Sequence, residues 1–167
     1  MYDFVVVGGG PAGSRFARRV AAQGFDVVVF EQGSVGKPLA CSGHVSTDIW
    51  EFVPESAHER LRQNEIYGAR FHTGGPDSDA HRFYKEGVVS NVIDRVELDR
   101  TLARAAEDAG AEVRENHTVV GLSESRDAVS VNVRGPDGLE THRSKIVAGC
   151  DGPNSRVRGE VGLPDPD

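Results

Sequence analysis

Three glycines, Gly8, Gly10 and Gly13, stand at G-x-G-x-x-G spacing, and Glu31 follows 23 positions after the first of them. Bare backbone at such positions lets a chain turn sharply, pass close to a pyrophosphate and pack a helix tightly on a strand. The first amides of that helix, near Ala12 and Gly13, have no partners inside it and sit at its positive end, where phosphate oxygens are favoured. A carboxylate at Glu31 suits the ribose diol of the same ligand and argues against a 2′-phosphorylated ribose, hence against NADP at this site. The chemistry these residues fit is capture of an adenine dinucleotide; the stretch alone leaves FAD and NAD both open. A second group of chemical interest surrounds Cys41, whose glycine-rich neighbourhood could stabilise a thiolate. Cys150, at the end of an apolar run, reads as a small structural residue. His72, His81, His117 and His142 have no paired spacing with cysteines or acids, so no metal site is expected.

The elements that must hold these residues are legible around them. Tyr2 to Val7 is a short, β-branched run of the kind buried on both faces of a parallel sheet. Pro11 to Gln23 carries Phe16, Ala17, Val20 and Ala21 on one helical face, with Gly24 as its stop. Asp26 to Glu31 is a second buried strand ending in the acid. From Gln32 to Ser46 the pattern breaks into a loop. Ser46 or Thr47 could cap a helix over Asp48 to Val53, ended by Pro54, and Glu55 to Arg62 is a second short helix. Ile66 to Thr73 and Ala80 to Tyr84 read as strands joined by the Gly74-Gly75-Pro76-Asp77 turn, and Val88 to Ile93 as another short strand. Asp94 is a plausible N-cap for a helix running to Gly110. Ala111 to Arg114 looks like a parallel strand. Thr118 to Leu122, Ala128 to Val133 and Leu139 to Ser144 look like an antiparallel meander, followed by a separate apolar strand from Lys145 to Cys150. A short helix over Pro153 to Arg158 closes the pattern, with Asn154-Ser155 as its cap.

The bulk properties bound the function. At 167 residues the chain can bury a real core. A formal charge of −7 argues against general nucleic-acid binding. Lys37, Lys85 and Lys145 are the only lysines; such an acid-rich, lysine-poor composition keeps a surface hydrated in concentrated salt, as in a halophile's protein, and ordinary sequence drift is the alternative. No apolar stretch reaches transmembrane length and no secretory segment precedes the first strand, so Met1 reads as the native start and the cytoplasm as the compartment. Two cysteines make no disulfide framework.

Three separated stretches together resemble the FAD-binding half of the glutathione-reductase-type flavoproteins. They are the opening fingerprint, the helix after Asp94 with its leading arginine, and Ala148-Gly149-Cys150-Asp151-Gly152-Pro153-Asn154-Ser155. Within that group the chain is similar to the subgroup of para-hydroxybenzoate hydroxylase and the geranylgeranyl reductases. The loop Lys37-Pro38-Leu39-Ala40-Cys41-Ser42-Gly43-His44-Val45-Ser46 resembles the geranylgeranyl reductases, whose archaeal members saturate the isoprenoid chains of membrane lipids. The resemblance implies FAD as cofactor and an α/β fold: a Rossmann-like parallel FAD-binding sheet with a partial antiparallel substrate-domain sheet. It divides the chain into a FAD-binding domain over 1–62 and 86–167, with the meander at about 117–144, and partial substrate-domain strands over 63–85. It places Gly8, Gly10, Ala12 and Gly13 at the pyrophosphate and Glu31 at the adenosine ribose. Cys41, Ser42, Gly43 and His44 approach the flavin from the loop, with Cys41 as the catalytic acid or thiolate. Arg95 contacts FAD, Val119 meets the adenine through its backbone, and Asp151 and Gly152 line the cofactor crevice.

Family chains run roughly twice this length and carry a third motif, Gly-Asp followed by a small residue, which does not occur before Asp167. The C-terminal half of the family fold is therefore expected to be absent. The first functional expectation is a FAD-dependent reductase of prenyl double bonds, drawing electrons from NADPH, NADH or ferredoxin and touching the membrane peripherally. A FAD-dependent aromatic monooxygenase or halogenase of the same fold is the second, and an inert FAD-binding fragment the third.

Overall fold

The computed structural model describes residues 1–38 and 41–164; Leu39 and Ala40 of the cysteine loop fall outside them. The chain forms two compact units, one of Met1–Leu39 with Asp99–Asp167 and one of Ala40–Leu98.

In the first unit, β1 (Tyr2–Val7), β2 (Val27–Phe30), β8 (Glu112–Arg114), β9 (Thr118–Glu124), β10 (Val129–Gly135) and β11 (Gly138–Gly149) make one six-stranded sheet. Its order is β8-β2-β1-β11-β10-β9, with β8, β2, β1 and β11 parallel and β11, β10 and β9 antiparallel. The unbroken valines of β1 and β2 reflect burial on both faces. Val6, Val27 and Val29 pack with Ala17 and Ala21 of α1 (Pro11–Ala21) and with Ala106 of α3 (Arg95–Asp108). Val5, Val7, Val28 and Phe30 pack instead with Val119, Val131 and Val133 of the meander. Phe30 is further framed by the rings of His117 and His142, with the Arg114 guanidinium 5.8 Å from its ring centre.

The sheet corrects one expectation. Leu139–Ser144 and Lys145–Cys150 are not two strands but one continuous strand, β11. Its first half pairs antiparallel with β10 and its second half parallel with β1, and Ser144 belongs to both ladders, opposite Val129 and Tyr2. Ser144 is fully buried, and its Oγ donates to the Ile146 carbonyl at 2.6 Å and lies 3.4 Å from the Asp3 carbonyl. The hydroxyl supplies a hydrogen bond where the strand changes partners, so no turn residue is needed there.

In the second unit, β3 (His44–Ser46), β7 (Ser90–Ile93) and β4 (Arg62–Ile66) form an antiparallel sheet in the order β3-β7-β4. A separate hairpin joins β5 (Gly68–His72) to β6 (Ala80–Tyr84). Ser46 caps a 3₁₀ helix over Thr47–Phe52, accepting from the Asp48 amide, and α2 spans Glu55–Leu61. β3 and β4 were not expected: His44 to Ser46 read as loop and Arg62 as the end of a helix. Both are short, polar strands, stabilised by the Ser90–Ile93 backbone between them rather than by apolar alternation. Asp94 caps α3 as its sequence implies, Oδ1 accepting from the Glu97 amide at 2.9 Å. Among the described residues no helix is long and apolar enough to cross a membrane.

Replacing Ser144 with alanine removes the hydroxyl donor from the point where both ladders meet. The expected loss is about 1 kcal/mol, read as a lower urea midpoint at unchanged slope.

Candidate functional site

The first unit builds its site where β1, β2 and β11 end side by side. Leaving β1, the chain runs to β2 and β8 on one side, while β11 lies on the other. Parallel sheets place ligands at such a reversal, beyond the carboxyl ends of the strands. The strand ends are tied together: the Gly8 amide donates to the Phe30 carbonyl at 2.8 Å and the Cys150 amide to the Val7 carbonyl at 2.8 Å.

The glycines differ in what they permit. A Cβ on Gly8, whose φ is +101°, would lie 2.4 Å from the Cys150 carbonyl oxygen, so only a bare backbone lets β1 turn beside β11. A Cβ on Gly13 would lie 1.9 Å from the Gly8 carbonyl oxygen, so α1 can pack against the turn only without a side chain there. A Cβ on Gly10 would meet nothing within 4 Å, and Gly10 caps α1 without any side-chain bond at a φ of −70° that any residue can adopt. The space in front of Gly10 is therefore open, and it faces the first turn of α1. That turn contains no acidic residue, so no carboxylate competes with a ligand phosphate for its positive end. Ser14, buried behind the turn, anchors it by donating Oγ to the Gly9 carbonyl at 3.0 Å.

Glu31 closes one side of this space. Its Oε2 accepts from the Gly9 amide at 2.7 Å and its Oε1 from the Gly33 amide at 3.0 Å. A carboxylate has about four acceptor positions, so one lone pair on each oxygen stays available for a diol. The Glu31 carbonyl accepts from the His117 amide at 2.8 Å, which brings the start of β9, and with it Val119, to the same strand end. Val119 is buried and pairs with Val133 beside a bulge that skips Val120. These bonds fit the residues to an adenine dinucleotide: an open cradle of bare backbone, a positive helix end and an oriented acceptor.

Asp151 lies at the end of β11, but its carboxylate serves the chain itself. Oδ1 accepts from Ser155 Oγ at 2.6 Å, and Oδ2 from the amides of Arg156 at 2.7 Å and Val157 at 3.1 Å. Ser155 in turn caps α4 (Arg156–Glu160), accepting from the Arg158 amide. Burial opposes ionisation of Asp151, but the bonds from Ser155, Val157 and Arg156 together outweigh it and hold its pKa below the usual aspartate value. Gly152 follows with φ +81°, the left-handed step that swings the chain into this turn. Burial pushes the Cys150 thiol up, and the Asp151 charge adds to that, so it is a poor nucleophile.

The remaining predicted residues lie in the second unit. Gly43, at φ +78°, exchanges hydrogen bonding with β7 through the Ile93 amide, which donates to its carbonyl at 2.9 Å; a Cβ there would sit 2.5 Å from the Ile93 carbonyl oxygen. This pairing sets the Cys41–His44 loop beside the start of α3, where Arg95 occupies the first position, half-buried. His44 is fixed through Nε2 to Ser90 Oγ at 2.6 Å, and Cys41 and Ser42 are exposed. Gly8, Gly10, Ala12, Gly13, Glu31, Val119, Asp151 and Gly152 thus share one unit, and Cys41, Ser42, Gly43, His44 and Arg95 the other. Sequence reasoning passed over Gly9, Gly33, Ser14 and Ser90. Only Gly9 and Ser14 carried a signal, as small residues inside the fingerprint. Among the described residues no group of three or more histidine, cysteine or acidic side chains is placed to hold a metal ion.

Because the folded-state pKa of Asp151 is lowered, its stabilising effect is complete above the unfolded aspartate pKa and is lost as pH falls through the folded value. Asp151→Asn should lower the melting temperature at neutral pH, with the gap to wild type closing as the solution is acidified. A gap independent of pH would contradict this assignment.

A family described as FAD binding domain matches residues 1–166. The chain is 33% identical over 172 residues to digeranylgeranylglycerophospholipid reductase 2 of Methanothermobacter thermautotrophicus, covering 97% of the chain and 42% of that protein. Its fold is similar to the crystal structure of a geranylgeranyl bacteriochlorophyll reductase-like protein from Thermoplasma acidophilum, with TM-score 0.85 and 29% identity over 97% of this chain and 42% of that one. It is also similar to OxyS anhydrotetracycline hydroxylase from Streptomyces rimosus, with TM-score 0.77 and 25% identity over 96% of this chain and 34% of that one. The chain thus spans about two fifths of the reductase's length.

Proposed function

Because the chain belongs to the FAD binding domain family, over residues 1–166, we propose that it is the nucleotide-binding part of a FAD-dependent reductase acting on prenyl double bonds of membrane lipids. The observation that carries this reading is the open cradle at Gly10, bounded by the first turn of α1 and by the two-amide seat of Glu31. The relatives named as digeranylgeranylglycerophospholipid reductases support the substrate class.

In this reading the amides of Ala12 and Gly13 hold the pyrophosphate, and Glu31 takes the ribose hydroxyls on the lone pairs that Gly9 and Gly33 leave. Val119 offers backbone to the adenine. Asp151 and Gly152 shape the crevice wall, Asp151 by fixing the turn rather than by touching the ligand. Arg95, Ser42, Gly43 and His44 line the flavin side, and Cys41 delivers a proton to the substrate carbon next to the one reduced. FAD, when bound, supplies the hydride chemistry. The chain's task is to orient it and to keep water from it. NADPH, NADH or ferredoxin supplies the electrons, and the lipid substrate brings the enzyme to the membrane surface from the cytoplasm. The similarity to a hydroxylase favours, as the second reading, an aromatic monooxygenase or halogenase, which needs no thiol at position 41.

Titrating FAD into the protein and following flavin fluorescence tests the cofactor site. Wild type should quench the fluorescence to a stoichiometric end point. Gly10→Val should melt like wild type, since its side chain enters open space, yet bind FAD at least ~10-fold more weakly because it fills the place of the phosphate. Absence of quenching with wild type would overturn the reading.

In an enzyme of the family's full length, Cys41→Ser should cut turnover of a prenyl lipid by ~10²-fold or more while leaving FAD bound, as expected for loss of a positioned proton donor. Oxygen-dependent consumption of NAD(P)H with an aromatic substrate would favour the monooxygenase instead.

A further inference from the structure

The β5–β6 hairpin carries an arrangement that the flavin reading does not use. Its register sets Arg70 directly opposite Arg82, so the two guanidinium groups rise from the same face of a two-stranded sheet. Like charges directly opposite on a ladder repel and destabilise it. Among the described residues neither arginine has a hydrogen bond or an ion pair, and both are exposed. No acid shares their face on either strand: His72 lies opposite Ala80, and Tyr84 lies opposite Gly68. Asp77 and Asp79 stand in the turn beyond His72, and His72 is itself held through Nδ1 to the Ser78 carbonyl at 3.0 Å. Tyr84, 73% exposed and two residues from Arg82 on the same face, adds a phenol O–H donor. The aromatic side chains Phe71 and Phe83 occupy the opposite face and take no part. A two-stranded sheet is marginal in water on its own, which makes an unrelieved repulsion within it costly.

We propose that Arg70 and Arg82, with Tyr84, form a binding site for the phosphate group of a phosphate ester. Guanidinium forks match phosphate oxygens in bidentate geometry, and a doubly bonded phosphate neutralises both charges at once. The hairpin is then firmest with the anion bound and weakest in its absence. Arg70, Arg82 and Tyr84 belong to the second unit of the chain, and the residues of the dinucleotide cradle to the first.

The test compares wild type with Arg82→Gln and Arg70→Gln, both at exposed positions. The probes are glycerol 1-phosphate, sodium chloride at matched ionic strength, and vesicles of phosphatidylcholine with or without phosphatidylglycerol. Wild type should gain melting temperature with glycerol phosphate beyond the chloride control, or sediment with the phosphatidylglycerol vesicles alone. The first outcome supports a soluble phosphate ester as ligand, and the second supports a lipid headgroup. Each single variant should weaken that binding about tenfold, the factor carried by one charge-assisted hydrogen bond. In low salt without phosphate, each should melt no lower than wild type because the repulsion is gone. Equal responses to phosphate and chloride with no vesicle binding would overturn the site. Undiminished binding in both variants would do the same. A matching loss of FAD affinity in either variant would also overturn it, by reassigning the guanidinium groups to the dinucleotide.

Discussion

Everything in the first unit depends on two backbones passing at a distance that no side chain allows. The turn after β1 runs against Cys150, the residue that follows β11, and α1 is seated on that turn, because Gly8 and Gly13 present only hydrogen. This contact fixes where the helix begins, and so where its unpaired amides point. A larger residue at either position would push α1 away from the strand and dissolve the cradle without touching any ligand. Gly8 and Gly13 are thus structural, whereas a Cβ on Gly10 would meet nothing within 4 Å among the described residues.

Two carboxylates flank the cradle and use the same device differently. Glu31 joins the turn to the following loop through Gly9 and Gly33, and keeps acceptor capacity in reserve. Asp151 gives its oxygens to one hydroxyl and two amides and so holds the chain that leaves β11. Backbone amides desolvate little when they meet a carboxylate that stays partly wet, so such clasps hold loops near a site without an apolar core beneath them. Cys150, between the two, is kept a neutral thiol by its surroundings and fills space.

The parts legible in the sequence were those governed by local rules. The fingerprint, its helix and its second strand are specified by glycine geometry and valine burial. The cap at Asp94 and the hairpin turn at Gly74 to Asp77 follow from short-range hydrogen bonding. The parts missed were set by partners distant in the chain. His44–Ser46 is a strand only because Ser90–Ile93 lies beside it, and Arg62–Ile66 for the same reason. Thr141, His142, Arg143 and Ser144 look like the polar end of a strand. They continue because one edge is paired by β10 and the other is taken over by β1. The place of Glu31 at the end of β2 was readable from its spacing, whereas the self-capping of Asp151 was not, since it depends on the angle at which the chain leaves β11.

The continuity of β11 has a bearing on how such a chain can evolve. Because one strand serves two ladders, the meander cannot be traded as a cassette: a crossover between related genes anywhere from Gly138 to Gly149 would have to conserve both pairings together. An insertion or deletion of a single residue there would turn the side chains of one half to the opposite face. A break that keeps both ladders intact must therefore fall in the turns on either side, so that β1 and the meander change together.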